Sequence, residues 1–134
     1  MMNFVLDCSV TMTWFFEDEI DAGSRSLLDR ATEGDALAPA IWPGEVANAF
    51  LTAERKRRMT HAKVNEDAAL LARLPIAIDR ETVAADDLIT LGRRYALSSY
   101  DSSYLELALR LGLPLATRDR RLGAAARAAK VDLA

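Results

Sequence analysis

The sequence of 134 residues holds one cysteine, Cys8, and one histidine, His61. A lone cysteine excludes an internal disulfide and fits a reducing, intracellular setting. One histidine without a cysteine pair leaves no ordinary zinc ligand set. Glycine is sparse, at six residues, and none of it forms the Gly-rich loop that cradles nucleotide phosphates. No stretch approaches the ~20 apolar residues of a membrane-spanning helix, so no membrane role is expected. The opening Met-Met-Asn-Phe-Val-Leu-Asp has no basic start and only a three-residue apolar run, so a signal peptide is not expected. Linkers, repeats and low-complexity stretches are absent too, and residues 1–134 read as one domain.

What is present is ordinary globular material: 51% hydrophobic and 28% charged residues, enough for a packed core. The net charge of −3 argues against a simple basic nucleic-acid binder. Its distribution is uneven. Arg55, Lys56, Arg57 and Arg58 form one basic run, Arg93 and Arg94 a second, and Arg118, Arg120 and Arg121 a third. Each run alone reads as a solvated helix end. The three together leave room for a phosphate-binding surface.

Periodicity orders the chain. Phe4-Val5-Leu6, closed by Asp7, reads as a buried strand. Ser9 offers an N-cap to a short helix carrying Val10, Met12, Trp14 and Phe15. Ile20 to Thr32 is helical and stops at Gly34. Leu37-Ala38-Pro39 is a second strand, ended by its proline. From Pro43, placed where a first helical turn accepts proline, a helix runs to Arg58 with Val46, Phe50, Ala53 and Arg57 on one face. Thr60 to Arg73 is a further helix, with Val64, Ala68 and Leu71 on one side. Ile76-Ala77-Ile78 is a third strand and Thr82 to Tyr95 a helix. Asp101 to Leu111 is another helix, with Tyr104, Leu107, Ala108 and Leu111 facing inward, stopped by Gly112. Leu115-Ala116-Thr117 is a fourth strand. Asp119 opens a last helix from Arg120 to Lys130, and Val131 to Leu133 reads as a final edge strand. Short continuous apolar strands alternating with helices imply parallel pairing with helices on both faces. The expected fold is therefore a three-layer α/β/α sandwich around a mostly parallel sheet of four to five short strands.

Ligands of open parallel sheets bind beyond the carboxyl ends of the strands. Asp7 directly follows the first strand, Asp119 follows the fourth, and Glu45 lies in the first turn after the second. Asp101 opens the helix that runs back to the fourth strand, which puts it at the same edge. Gathered carboxylates repel one another, and a hard divalent cation relieves that. Mg²⁺ takes oxygen ligands and can polarise a phosphoryl group and activate water. Each acid also has a plain reading: Asp101 and Asp119 as N-caps, Glu45 as a partner of the helix dipole, Asp7 as a turn residue. The plain readings do not explain why all four fall at one edge. Ser9, Thr117 and Asn48 are placed to orient carboxylates or metal waters, or to cap locally. Trp14, Phe15, Trp42 and Phe50 read as core, His61 as surface, and Cys8 as a small hydrophobe.

Taken in series, these segments resemble the PIN-domain ribonucleases, and within them the VapC-type toxins of bacterial toxin–antitoxin pairs. Val5-Leu6-Asp7-Cys8-Ser9-Val10 resembles the opening strand with its first acid, and Trp14-Phe15 continues the likeness. Pro43-Gly44-Glu45-Val46-Ala47-Asn48-Ala49-Phe50 resembles the second acidic segment. Tyr100-Asp101-Ser102-Ser103-Tyr104-Leu105 resembles the third, and Ala116-Thr117-Arg118-Asp119-Arg120-Arg121-Leu122 the fourth. The likeness spans nearly the whole chain. Thr13 departs from it, standing where many relatives carry lysine, and Ser102 and Ser103 are more polar than usual. The resemblance implies Mg²⁺, with Mn²⁺ as a substitute, and hydrolysis of single-stranded or looped RNA in the cytoplasm. It also implies a homodimer and a cognate antitoxin whose extended segment covers the active groove.

The leading reading is an endoribonuclease that leaves a 5′-phosphate and a 3′-hydroxyl. The alternative is a non-catalytic PIN-like module whose acidic site serves only a protein partner. A phospho-accepting signalling domain ranks below both, because Asp79 follows the third strand but only Lys130 stands late in the chain.

Overall fold

The computed structural model describes residues 3–134. Its strands are short apolar segments: β1 (Phe4–Leu6), β2 (Ala36–Ala38), β3 (Ala77–Ile78) and β4 (Leu115–Ala116). They pair in parallel in the order β3-β2-β1-β4. The middle strand β1 is buried throughout, which is why its sequence is a continuous apolar run rather than an alternating one. The expected edge strand at Val131–Leu133 is reduced to one parallel bridge, Leu133 to Leu115.

Seven helices complete the described residues: α1 (Cys8–Thr13), α2 (Ala22–Thr32), α3 (Trp42–Arg55), α4 (His61–Ala72), α5 (Ala85–Tyr95), α6 (Ser99–Leu111) and α7 (Arg120–Ala128). The chain steps one way from β1 through β2 to β3, then returns across β1 to reach β4. Right-handed crossovers then put α1–α4 on one face and α5–α7 on the other. The packing agrees: α1 lies on α3 and α3 on α4, while α5 lies on α6 and α6 on α7 and β1. The three-layer α/β/α expectation holds.

Local chemistry sets the boundaries. Gly34 and Gly112 stop α2 and α6 with positive φ, 88° and 65°, a conformation glycine adopts without a Cβ clash. Both indoles are buried with their N–H groups satisfied, Trp14 by the Ser24 carbonyl at 2.9 Å and Trp42 by Thr11 Oγ1 at 3.0 Å, as burial of a tryptophan demands. Phe50 is buried, Phe15 packs half-buried on the core, and His61 is exposed.

Several expectations need correction. Ser9 does not cap α1. Asp7 holds the N-cap position in extended conformation, with no side-chain capping bond, and Ser9 is the second helical residue. Asp101 does not open α6 either. Ser98 caps it, its Oγ accepting the Asp101 N–H at 3.1 Å. Arg57 is outside α3, which ends at Arg55, and has φ 58°. On α4 the buried stripe runs through Asp67 and Leu71 rather than Ala68, which is exposed. Lys63, one turn earlier, meets the Asp67 charge at 2.9 Å, so that carboxylate can be buried. The helix expected from Thr82 begins at Ala85, and Leu111 is exposed rather than inward.

Candidate active site

β1 is the strand from which the chain departs in both directions, and the crevice at its carboxyl end is the topological switch point. Asp7 sits there. Its backbone N–H donates to the Ala116 carbonyl at 3.0 Å, so the β1–β4 ladder continues into it. The side chain is buried, and one oxygen, Oδ2, accepts two hydroxyls: Ser9 Oγ at 2.5 Å and Thr117 Oγ1 at 2.7 Å. These hydroxyls are held in turn. Arg118 N–H donates to Ser9 Oγ at 2.8 Å and Asp119 N–H to Thr117 Oγ1 at 3.0 Å. Every donor to the Asp7 side chain is therefore neutral.

Glu45 lies in the first turn of α3, half-buried, and accepts a hydrogen bond from the Tyr104 hydroxyl of α6. Asp101 lies in the first turn of α6 with its carboxylate free of capping duty. Asp119 caps α7, Oδ1 accepting the Leu122 N–H at 2.9 Å, as its plain reading required.

The acids feel one another. Burial pushes Asp7 above the ordinary carboxylate range and the Asp119 charge adds to this, against the bonds from Ser9 and Thr117. Burial also raises Glu45, opposed by Tyr104 and reinforced by Asp7 and Asp101. Asp101 is raised by burial, then by Asp119 and Asp7. The Cys8 thiol, beside Asp7 and Glu45, is pushed up to about 12, mainly by burial, so it is an inert thiol rather than a nucleophile. Among the described residues none of the four acids makes an ion pair. No three histidine, cysteine or acidic side chains there are already close enough to hold an ion. The oxygen-only donor set and the lack of internal neutralisation fit a hard divalent cation.

The remaining expected residues divide. Asn48 is exposed and makes no hydrogen bond to the acids among the described residues. Arg118 is occupied, pairing with Asp21 at 2.7 and 2.9 Å. That pair holds the Asp21 carboxyl well below its usual range. Arg120 and Arg121 are exposed at the start of α7, where the helix dipole disfavours cations. Thr13 is buried, its hydroxyl bonded to the Val10 carbonyl at 2.7 Å. Tyr104 was read only as an inward-facing residue. Its partner lies 59 positions away, beyond any local pattern.

A family model described as "PIN domain" matches residues 4–128. The chain belongs to the PIN domain family. Its fold is similar to the crystal structure of PAE2754 from Pyrobaculum aerophilum, at 21% identity and a TM-score of 0.73, covering 92% of this chain and 86% of that one. It is also similar to VapC20 of Mycobacterium tuberculosis, described as a Sarcin-Ricin loop cleaving toxin, at 16% identity and a TM-score of 0.63, covering 92% and 95%. A toxin–antitoxin complex from Klebsiella pneumoniae matches at 17% identity and a TM-score of 0.61, covering 91% of each chain. No curated protein matches the chain by sequence. Of the acids that carried the sequence resemblance, Asp7 stands at the carboxyl end of β1, and Glu45, Asp101 and Asp119 stand at the starts of α3, α6 and α7.

Proposed function

We propose that this PIN domain is a metal-dependent endoribonuclease of the VapC type, acting in the cytoplasm as the growth-inhibiting toxin of a toxin–antitoxin pair. One observation carries the reading: Asp7, buried at the end of the central strand, is coupled to three further carboxylates and has no cationic partner among the described residues. Residues 1–134 would act as one nuclease domain. The fold shared with a loop-cleaving toxin and a toxin–antitoxin complex supports the assignment.

Asp7, Glu45, Asp101 and Asp119 would hold Mg²⁺, with Mn²⁺ as a substitute. When bound, the ion activates a water and offsets charge on the phosphodiester. Ser9 and Thr117 fix the Asp7 carboxylate, while Asn48, one turn beyond Glu45, would support that edge. The acids would take up the proton of the attacking water as its oxygen bonds to phosphorus and the bond to the 3′-oxygen breaks. A proton from solvent would complete the 3′-hydroxyl, leaving a 5′-phosphate on the other product. Arg120 and Arg121 would contact RNA phosphates. Arg118 would do so after leaving Asp21.

The antitoxin reading is supported by a groove of about 660 Å³ lined by Met12, Phe16, Ala49, Ala53 and Arg118, which reaches the candidate site only through Ser9, a hydrogen-bond partner of Asp7. Exposed Leu51, Ile89 and Tyr100 are consistent with a homodimer. The test is incubation of purified protein with total cellular RNA in Mg²⁺ or EDTA, followed by mapping of new 5′ ends. Discrete Mg²⁺-dependent ends are expected. Intact RNA with metal still bound would favour the non-catalytic module, whose acids serve only a partner.

A further inference from the structure

Tyr104 is fully buried in α6, yet its hydroxyl does not end in the core. It reaches across the layers to Glu45 of α3. A buried tyrosine hydroxyl needs a partner, and a backbone carbonyl would have served for packing alone. Here it is given to a carboxylate of the candidate site. Tyr104 also stands one helical turn after Asp101, at the i+3 spacing that makes side chains neighbours on a helix. One stretch of α6 thus supplies an acid to the crevice and the donor that orients another acid from the opposite layer. The contact occupies Glu45 Oε1 and leaves Oε2 available to another partner.

We infer that Tyr104 is a positioning residue for the proposed reaction: its hydroxyl fixes the Glu45 carboxylate so that Oε2 is presented to the cation. The inference rests on the metal-nuclease reading. It distinguishes Tyr104 from its equally buried neighbours Leu105 and Leu107, which contribute packing only. Phenylalanine would fill the same space and remove one oxygen.

Three measurements test it. In metal-free protein, the Tyr104 hydroxyl proton should give a downfield, slowly exchanging NMR signal that disappears in Glu45→Ala. Its persistence there would overturn the contact itself, whatever the protein does to RNA. By calorimetry, Tyr104→Phe should weaken Mn²⁺ binding roughly tenfold, as loss of an orienting partner typically does, with melting confirming a folded protein. RNA cleavage should fall through kcat with KM little changed. In Glu45→Gln the same tyrosine change should add almost nothing, because coupled residues are non-additive. Unchanged Mn²⁺ affinity in Tyr104→Phe, or an effect that adds fully to Glu45→Gln, would reduce Tyr104 to packing. A wild type that neither binds Mn²⁺ nor cleaves RNA would defeat the nuclease reading instead, while the NMR result would still stand.

Discussion

Among the described residues two carboxylates are buried, Asp7 and Asp67, and the chain treats them in opposite ways. Asp67 lies mid-helix in α4, and Lys63, one turn earlier, gives it an ammonium at 2.9 Å. Its second oxygen has no hydrogen-bond partner. Asp7 lies at a strand end and receives two neutral hydroxyls on one oxygen, with other carboxylates as electrical neighbours. Burial alone therefore does not mark a site. A buried acid that its own helix neutralises has its counter-charge within the chain. A buried acid held in place by neutral donors, among other acids, is oriented but not neutralised by the chain.

The sharpest way to break the comparison is to neutralise each acid. Asp7→Asn should fold, yet lose RNA cleavage by about a hundredfold or more, since it removes charge from the metal site. Expression without antitoxin should stop growth for wild type and not for the mutant. Asp67→Asn should leave cleavage unchanged. Next in size, Lys63→Met should lower the midpoint of chemical denaturation, by less than the loss of a fully buried pair because Lys63 is half exposed. Asp67→Asn in that background should recover most of it. The reverse result, with Lys63 neutral to stability, would remove the contrast.

A smaller effect concerns pH. Asp7, Glu45 and Asp101 all have folded-state values raised above their ordinary ones. Between the ordinary and raised values the native state binds more protons than the unfolded one, so metal-free stability should fall as pH rises through that window. It should be fully regained once pH drops below the ordinary carboxylate values. Asp7→Asn should flatten this slope, and saturating Mn²⁺ should abolish it. A wild-type slope of the opposite sign would contradict the burial of these acids.

Much of this was legible in the sequence because it was local. Three apolar residues before Asp7 make a buried strand, and Gly34 and Gly112 end helices through their own backbone freedom. The acids were placed by the rule that parallel sheets bind ligands at their carboxyl ends. Capping was harder to read, since two residues capable of it stood close together in each case. Asp7 and Ser9 sit two apart, and the helix begins at Cys8 because Asp7 takes the extended conformation. Ser98 and Asp101 sit three apart, and the serine caps, which frees the aspartate. The pairs that finish the site, Tyr104 with Glu45 and Arg118 with Asp21, span 59 and 97 residues. No periodicity encodes such a meeting, which depends on the layers closing. Nothing in the helical pattern marked Asp67 as buried, since a charge on a helix face is normally solvated.

The central claim is that the crevice around Asp7 takes its missing positive charge from a divalent cation. Calorimetric titration of Mn²⁺ into wild type, Asp7→Asn and Asp67→Asn tests it most directly. Wild type and Asp67→Asn should bind with the same affinity, and Asp7→Asn should bind roughly a hundredfold more weakly or not measurably. Equal Mn²⁺ affinity in folded Asp7→Asn and wild type would contradict it.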